Sequence, residues 1–322
     1  MTALAEVQQQ QAPQQQTTVS FKNILLATDF SDASEKAFRC ATAIARRHGS
    51  KIYLVHVVPP ESNSFIPEPT LERQRHEAEH EMEILASRSE LTQIAHETVL
   101  RVGSLWTVLS AVIRDQNIEL VVLGTHGRGG FKKLVLGSVA EEVVRGAGCP
   151  VITVGPHIDV SLGATGEFHR ILFATDFHPA SARALDYAML LANQSQARLI
   201  LLHVLPPAGL PGPGLTFYDE TAINEWQAKV RATTKEKLEK LLPPYAQLWS
   251  EPEYVVGFDF TADGILKVAA ERKVDLIVTG ANRPMSAKVS AHVLGAVAYE
   301  VIRHAQCPVL TVGTSTLRMW RD

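Results

Sequence analysis

The fold is set by the sequence NILLATDFSDASEKAFRCATAIARRHGSKIYLVHVVPP (residues 23–60), which returns as RILFATDFHPASARALDYAMLLANQSQARLILLHVLPP (residues 170–207). Asp29 corresponds to Asp176 and His56 to His203, with 147 positions between the members of each pair. The same residue types in the same order indicate that one structural unit occurs twice in the chain.

A second pair of stretches confirms the duplication. LGSVAEEVVRGAGCPVITVG begins at Leu136 and returns as LGAVAYEVIRHAQCPVLTVG from Leu294, now 158 positions later. The larger separation means that the second copy carries about eleven additional residues. Most of them belong near AGLPGPG, residues 208–214, whose glycines and prolines are typical of a loop.

Each copy alternates short apolar runs with amphipathic segments. Five runs of the first copy predict strands: NILLATD, KIYLVHVV, HETVLRVG, ELVVLG and PVITVG. These runs lack polar alternation, which is typical of parallel strands covered on both faces. Ser31 and Gly49 fit the preferences of the start and the end of the first helix. The sequence predicts an α/β protein of two tandem, doubly wound five-stranded parallel sheets, with ligands bound beyond the carboxyl ends of the strands.

Composition favours a water-soluble protein of a reducing compartment. The 322 residues are 46% hydrophobic and 20% charged, and a formal charge of -3 does not favour a nucleic-acid partner. Three cysteines, Cys40, Cys149 and Cys307, are too scattered for a disulfide framework or a zinc site. No apolar run reaches membrane-spanning length, and the glutamine-rich start has no signal-peptide pattern. We therefore expect a cytoplasmic protein with no membrane partner.

The segment GTHGRGGFKKLVLGSVAEEV (residues 124–143) has the pattern of an anion site. Gly124 ends an apolar run, and Gly137 and Ser138 open a helix thirteen residues later. Loop amides and the positive end of a helix attract phosphate, and Arg128, Lys132 and Lys133 add positive charge. Neither standard phosphate fingerprint is present, so a plain crossover loop is the alternative.

These motifs together resemble those of the universal stress protein family. The resemblance rests on ATDFSDASEKAF, LVHVV, GCPVITVG and the pattern G-x-x-G-x-nine-G-[ST], and it covers about residues 20–156 and 168–314. It implies that ATP, alone or with Mg²⁺, binds with its phosphates and ribose at Gly127, Gly137 and Ser138 and its adenosine end at Asp29 and Val57. The predicted site comprises Ala27, Thr28, Asp29, Val57, Gly124, His126, Gly127, Arg128, Gly137, Ser138 and Val139.

Two of these positions have a structural alternative. Asp29 could be a helix-capping or loop carboxylate rather than a direct contact, and Val57 could be a core residue. Because a carboxylate repels a triphosphate, we expect Asp29 to face the nucleoside or a Mg²⁺ ion.

The second copy departs from the motif in the phosphate segment. It reads GANRPMSAKVSAHVLGAVAYEV from Gly280, so that Ala296 replaces Ser138, Arg283 or a neighbour replaces the second glycine, and Pro284 removes an amide donor. Asp176 and Val204 remain, which leaves room for weak nucleoside binding. We expect one competent nucleotide site, in the first half.

The resemblance also implies how the halves are arranged. The closing strands PVITVG and PVLTVG (residues 150–155 and 308–313) are apolar, and in the family such strands pair across a dimer. We expect an internal pseudo-dimer of the two halves, and a homodimer of whole chains stays open. The predicted organisation is a disordered tail (1–18), a nucleotide-binding domain (19–156), a linker (157–167), a domain with a degenerate motif (168–314) and a tail (315–322).

The predicted function is that of an adenine-nucleotide-binding regulator of the stress response, with no catalytic residue assigned. One alternative is a slow ATP-hydrolysing enzyme of the same fold, and another is a nucleotide-free structural or partner-binding protein. The H-E-x-x-H match at His76–His80 lies in a charged, solvated helix and does not indicate a zinc protease. His56 and His203 are expected to be hydrogen-bonded core histidines.

Overall fold

The protein is described by a computed structural model that covers residues 21–60, 68–126, 136–156, 158, 168–207, 220–244, 246–281 and 296–313. The predicted tails, the loop 208–214 and, apart from Ile158, the linker 157–167 lie outside these ranges. The first half (residues 21–156) forms β1 (Asn23–Ala27), α1 (Asp32–His48), β2 (Lys51–Val58), α2 (Glu68–Ala86), a 3₁₀ turn (Ser89–Leu91), β3 (His96–Val102), α3 (Leu105–Asp115), β4 (Leu120–Gly124), α4 (Ser138–Gly146) and β5 (Val151–Val154).

The second half (residues 168–313) repeats this order. It forms β6 (Arg170–Ala174), α5 (Pro179–Ser195), β7 (Arg198–Leu205), α6 (Glu220–Glu239), β8 (Glu253–Phe258), α7 (Thr261–Glu271), β9 (Leu276–Ala281), α8 (Ala296–His304) and β10 (Val309–Gly313). The α/β architecture predicted from the repeated sequence is confirmed.

The strands join in one sheet in the order β3-β2-β1-β4-β5-β10-β9-β6-β7-β8. Within each half all pairs are parallel, and β1 lies between β2 and β4. The connection after β1 leads to β2 on one side of it, and the chain later returns to place β4 on the other side. The helices of these two connections lie on opposite faces of the sheet, so a crevice opens between the carboxyl ends of β1 and β4. The equivalent crevice of the second half lies between β6 and β9.

Helices cover both faces of the sheet. Ile24 and Leu26 point to a core that includes α1, whereas Leu25 points to a core that includes α3 and α4, and all three are fully buried. In a strand buried on both faces every side chain lies in a core, so apolar residues are favoured at every position. This explains the apolar runs without polar alternation. The pattern predicted from the sequence is thus the consequence of two covering layers.

The two halves meet through their closing strands. β10 pairs with β5 antiparallel, with Leu310 opposite Ile152. The Thr153 hydroxyl donates to the Val309 carbonyl at 3.3 Å, and the Thr311 hydroxyl donates to the Val151 carbonyl at 3.2 Å. This pairing removes two apolar strand edges and confirms the internal pseudo-dimer.

The predicted start and end of α1 are confirmed. Ser31 caps α1 by accepting from the Ser34 amide, and Gly49 ends the helix in the left-handed conformation, with φ of 64°. The three cysteines are buried and unbridged, as expected for small apolar residues. Among the described residues, none of the helices combines the length and the apolarity that a membrane crossing requires.

Candidate nucleotide site

A cavity of about 340 Å³ opens at the crevice between β1 and β4. This volume lies within the range of small-molecule sites, about 300–1,000 Å³. Nine of the predicted site residues line it: Ala27, Thr28, Asp29, Val57, Gly124, His126, Gly137, Ser138 and Val139. The two remaining ones, Gly127 and Arg128, lie outside the described residues.

The amino end of α4 forms one side of the cavity. Ser138, Val139 and Ala140 all line it, and no side chain of the described residues caps this helix. The first N–H groups of a helix have no partner within the helix and carry its positive dipole end. The residue before the helix is Gly137, which has no side chain that could cap it, whereas α1 is capped by Ser31. This end of the cavity therefore offers donors suited to an anion.

Gly137 contributes to the cavity by allowing α4 to pack closely on the end of β4, while its own amide is bonded within the protein. Its N–H donates to the Thr125 carbonyl at 2.9 Å, and a Cβ at this position would lie 3.0 Å from the same oxygen. The resemblance implied that this amide contacts phosphate; in the structure it instead ties the start of α4 to the end of β4. The residues of α4 that line the cavity are the three that follow Gly137: Ser138, Val139 and Ala140.

Gly124 is required by the packing of α1 on β4. A Cβ there would lie 2.8 Å from the Ala33 carbonyl carbon and 2.9 Å from the Ala33 Cβ, distances that would force the backbone apart. Gly124 thus allows the amino end of α1, and the residues before it, to approach the cavity.

Asp29 is anchored to the start of α1. Its Oδ1 accepts from the Ser31 amide at 3.1 Å, the Ser31 hydroxyl at 2.6 Å and the Ser34 hydroxyl at 2.5 Å. The Ser31 hydroxyl oxygen also lies 3.4 Å from the His126 carbonyl oxygen, so the β1–α1 connection and the segment after β4 are close together. Three donors saturate Oδ1, so this oxygen is unsuited to a Mg²⁺ ion. Because Ser31 is the residue that caps α1, Asp29 is a loop carboxylate that supports this cap, and it also lines the cavity.

The apolar end of the cavity is formed by strand ends. Val57 is 8% exposed and belongs to the core of α3 and α4, while it also lines the cavity. The sequence reasoning missed further lining residues: Ser34, Val55, His56, Pro59, Leu105, Leu123, Thr125 and Ala140. The repetition of Ser34 as Ser181, five positions after the repeated aspartate, was a signal for one of them.

The second half has a smaller cavity at the equivalent place, of about 160 Å³. Thr261 and Thr279 stand there at the positions of Leu105 and Leu123, and Ala296 stands at the position of Ser138. The aspartate anchor is retained. Asp176 Oδ1 accepts from the His178 amide at 3.0 Å and the Ser181 hydroxyl at 2.5 Å. Burial raises the pKa of Asp176, but the hydrogen bonds from Ser181 and His178 outweigh it and hold the pKa below its usual value.

The repeated histidines and the H-E-x-x-H match take structural positions. His56 and His203 are each hydrogen-bonded to a backbone carbonyl, as expected, although both are only half-buried. His76 Nδ1 lies 2.8 Å from the Glu72 carbonyl of its own helix. Across the described ranges, the acidic, histidine and cysteine side chains form no group of three placed to hold a metal ion.

The fold and the crevice are those of a doubly wound α/β protein, and comparison with known proteins assigns the family. The model of the universal stress protein family matches residues 20–155 and again 167–313. The chain belongs to this family, and it contains the family's domain twice.

Three known proteins illustrate the relationship. A universal stress protein of Thermus aquaticus is 34% identical over 137 residues, which is 42% of this chain and 98% of the relative. A universal stress protein of Archaeoglobus fulgidus, with a solved structure, has 23% identity and a TM-score of 0.65 over 91% of this chain and 98% of its own. A universal stress protein solved in complex with cAMP has 21% identity and a TM-score of 0.30 over 45% of this chain and 97% of its own.

Proposed function

We propose that this chain binds ATP in the first-half cavity and acts in the cytoplasm as a nucleotide-dependent regulator of the stress response. The observation that carries the proposal is the set of residues around the cavity: the uncapped start of α4 lines it together with Val57 and Asp29 from the strand ends. An adenine nucleotide has the matching polarity, with an anionic end for the helix amides and an apolar base for the strand ends.

The proposal assigns one nucleotide to each chain. In the second half the cavity has less than half the volume, and the hydroxyl of Ser138 is missing at Ala296. A cavity of about 160 Å³ lies below the range of sites for drug-sized ligands. Mg²⁺ bound through Asp29 Oδ1 is not part of the proposal, because three donors occupy that oxygen.

Calorimetric titration with ATP tests the proposal. We expect one ATP per chain, and ATP at about 100 times its Kd should stabilise the fold by about 2.7 kcal/mol. Gly127→Val should remove most of the ATP binding, because the valine side chain would obstruct the approach of the phosphates to the backbone at this position. Ala296→Ser should leave one ATP per chain. Absence of binding at millimolar ATP would refute the proposed function, and two ATP per chain would refute the asymmetry.

A further inference from the structure

We propose that His56 is a positioning residue of the nucleotide cavity. Together with Phe30, it holds the connection between β1 and α1 in the one conformation that presents Thr28 and Asp29 to the ligand. We call His56, Thr28 and Phe30 the imidazole clamp. This inference rests on the proposed nucleotide site and adds a residue of β2 that lies outside the glycine motif.

The first element of the clamp is a hydrogen bond across two strands. His56 Nδ1 lies 2.7 Å from the Thr28 carbonyl oxygen. A carbonyl only accepts, so Nδ1 carries the proton and donates. The Thr28 amide donates in turn to the Val55 carbonyl at 3.0 Å. Thr28 is therefore held on both sides to β2, one residue beyond the point where β1 ends.

The second element is a strained phenylalanine. Phe30 has φ of 61°, in the left-handed region that bulky residues avoid. Its amide donates to the Thr28 hydroxyl at 3.1 Å, and its ring packs on the His56 imidazole with 4.6 Å between centroids and 35° between planes. The surrounding contacts thus compensate for an unfavourable backbone conformation. This conformation places Asp29 between two fixed residues.

The same clamp is built independently in the second half. His203 Nδ1 donates to the Thr175 carbonyl at 2.7 Å, and Phe177 has φ of 62° with its ring centroid 4.6 Å from that of His203. The Thr175 hydroxyl accepts from the Phe177 amide at 2.9 Å. The repeat shows that the geometry follows from the shared residues and not from neighbours such as Ser31, which is His178 in the second half.

The clamp acts on the cavity through Thr28 and Asp29. Thr28, Asp29 and His56 all line it, and Asp29 Oδ1 is tied to the start of α1 by Ser31 and Ser34. Loss of the imidazole donor would leave the Thr28 carbonyl without that bond and release the strained turn. Thr28 and Asp29 would then no longer be held at the wall of the cavity.

Two matched variants test the inference. His56→Leu removes the donor in the half with the proposed site, and His203→Leu removes the equivalent donor in the other half. Both variants should lower the unfolding midpoint by similar amounts, because the two clamps share their geometry. His56→Leu should weaken ATP binding by at least about tenfold, whereas His203→Leu should change it by less than about twofold. His56→Asn should restore most of the affinity, since its amide offers a donor near the position of Nδ1.

The outcomes separate the inference from the proposed function. If the unmodified chain does not bind ATP, the proposed function fails and the inference fails with it. If the unmodified chain binds ATP and His56→Leu binds it equally well, or if His203→Leu weakens it as much, the clamp is only structural. Should His56→Leu not fold, Phe30→Gly keeps the left-handed turn accessible while it removes the ring. It should weaken ATP binding more than Phe177→Gly, and equal effects would overturn the inference.

Discussion

Replacement of Ser138 by aspartate should stabilise the free protein and weaken ATP binding at the same time. Ser138 is exposed, is the first residue of α4 and lines the cavity. A carboxylate in the first turn interacts favourably with the helix dipole, and we expect the free energy of unfolding to rise by about 0.3–1 kcal/mol. The same charge would stand beside any phosphate that the α4 amides bind.

The size of the binding effect follows from the position of residue 138. A phosphate on the amides of Ser138, Val139 and Ala140 lies within about one helical turn, or about 5 Å, of the new carboxylate. At an effective dielectric constant of about 20, two unit charges at this distance repel by about 3 kcal/mol. Screening by salt at an exposed position reduces this to about 1–2 kcal/mol, which is about a fivefold to thirtyfold loss of affinity.

Titration of ATP and of adenosine into Ser138→Asp measures the effect. We expect ATP to lose affinity and adenosine to change by less than about threefold, since adenosine has no phosphate to repel. Ala296→Asp is the matched control, because it places the same charge at the start of α8 and should leave ATP affinity unchanged. An equal loss for ATP and adenosine, or no loss for either, would refute the placement of the phosphates at α4.

Two further predictions concern the fold. Gly124→Ala should lower the free energy of unfolding by about 1–3 kcal/mol in denaturant titrations, because the added Cβ would overlap the Ala33 backbone. Gly148→Ala is the control and should be nearly neutral, because no atom lies within 4 Å of the added Cβ. Similar losses for both variants would contradict the packing argument. Burial raises the pKa of the three cysteine thiols from 9.0 to about 12, so the folded chain keeps protons that the unfolded chain releases. The free energy of unfolding should therefore fall as pH rises from about 9 towards 12. A Cys149→Ala variant should show a shallower decline, and an unchanged slope would count against a buried thiol.

Much of the fold was predictable because its signals are local and occur twice. Apolar runs without alternation predict buried parallel strands, and Ser31 and Gly49 mark the ends of α1 where the structure has them. The pairing of β5 with β10 required the family resemblance in addition, since any exposed apolar edge strand fits the same sequence pattern.

Nine of the eleven predicted site residues line one cavity, and the other two lie outside the described residues. Their individual roles were less predictable. Gly124 and Gly137 were assigned to ligand binding, yet the contacts that require glycine are with Ala33 and with the Thr125 carbonyl. A sequence shows that a glycine is present, but not which atom approaches it.

The sequence alone therefore determined the duplication, the strand and helix order and the crevice at the carboxyl ends of the strands, because each follows from periodicity and spacing along the chain. Only the tertiary structure decided that the Gly137 amide donates to the Thr125 carbonyl and that Ser31 and Ser34 donate to Asp29. It also decided that Phe30 adopts a left-handed conformation with its ring against His56. These are contacts between atoms on different elements, and their distances are set by how the layers pack.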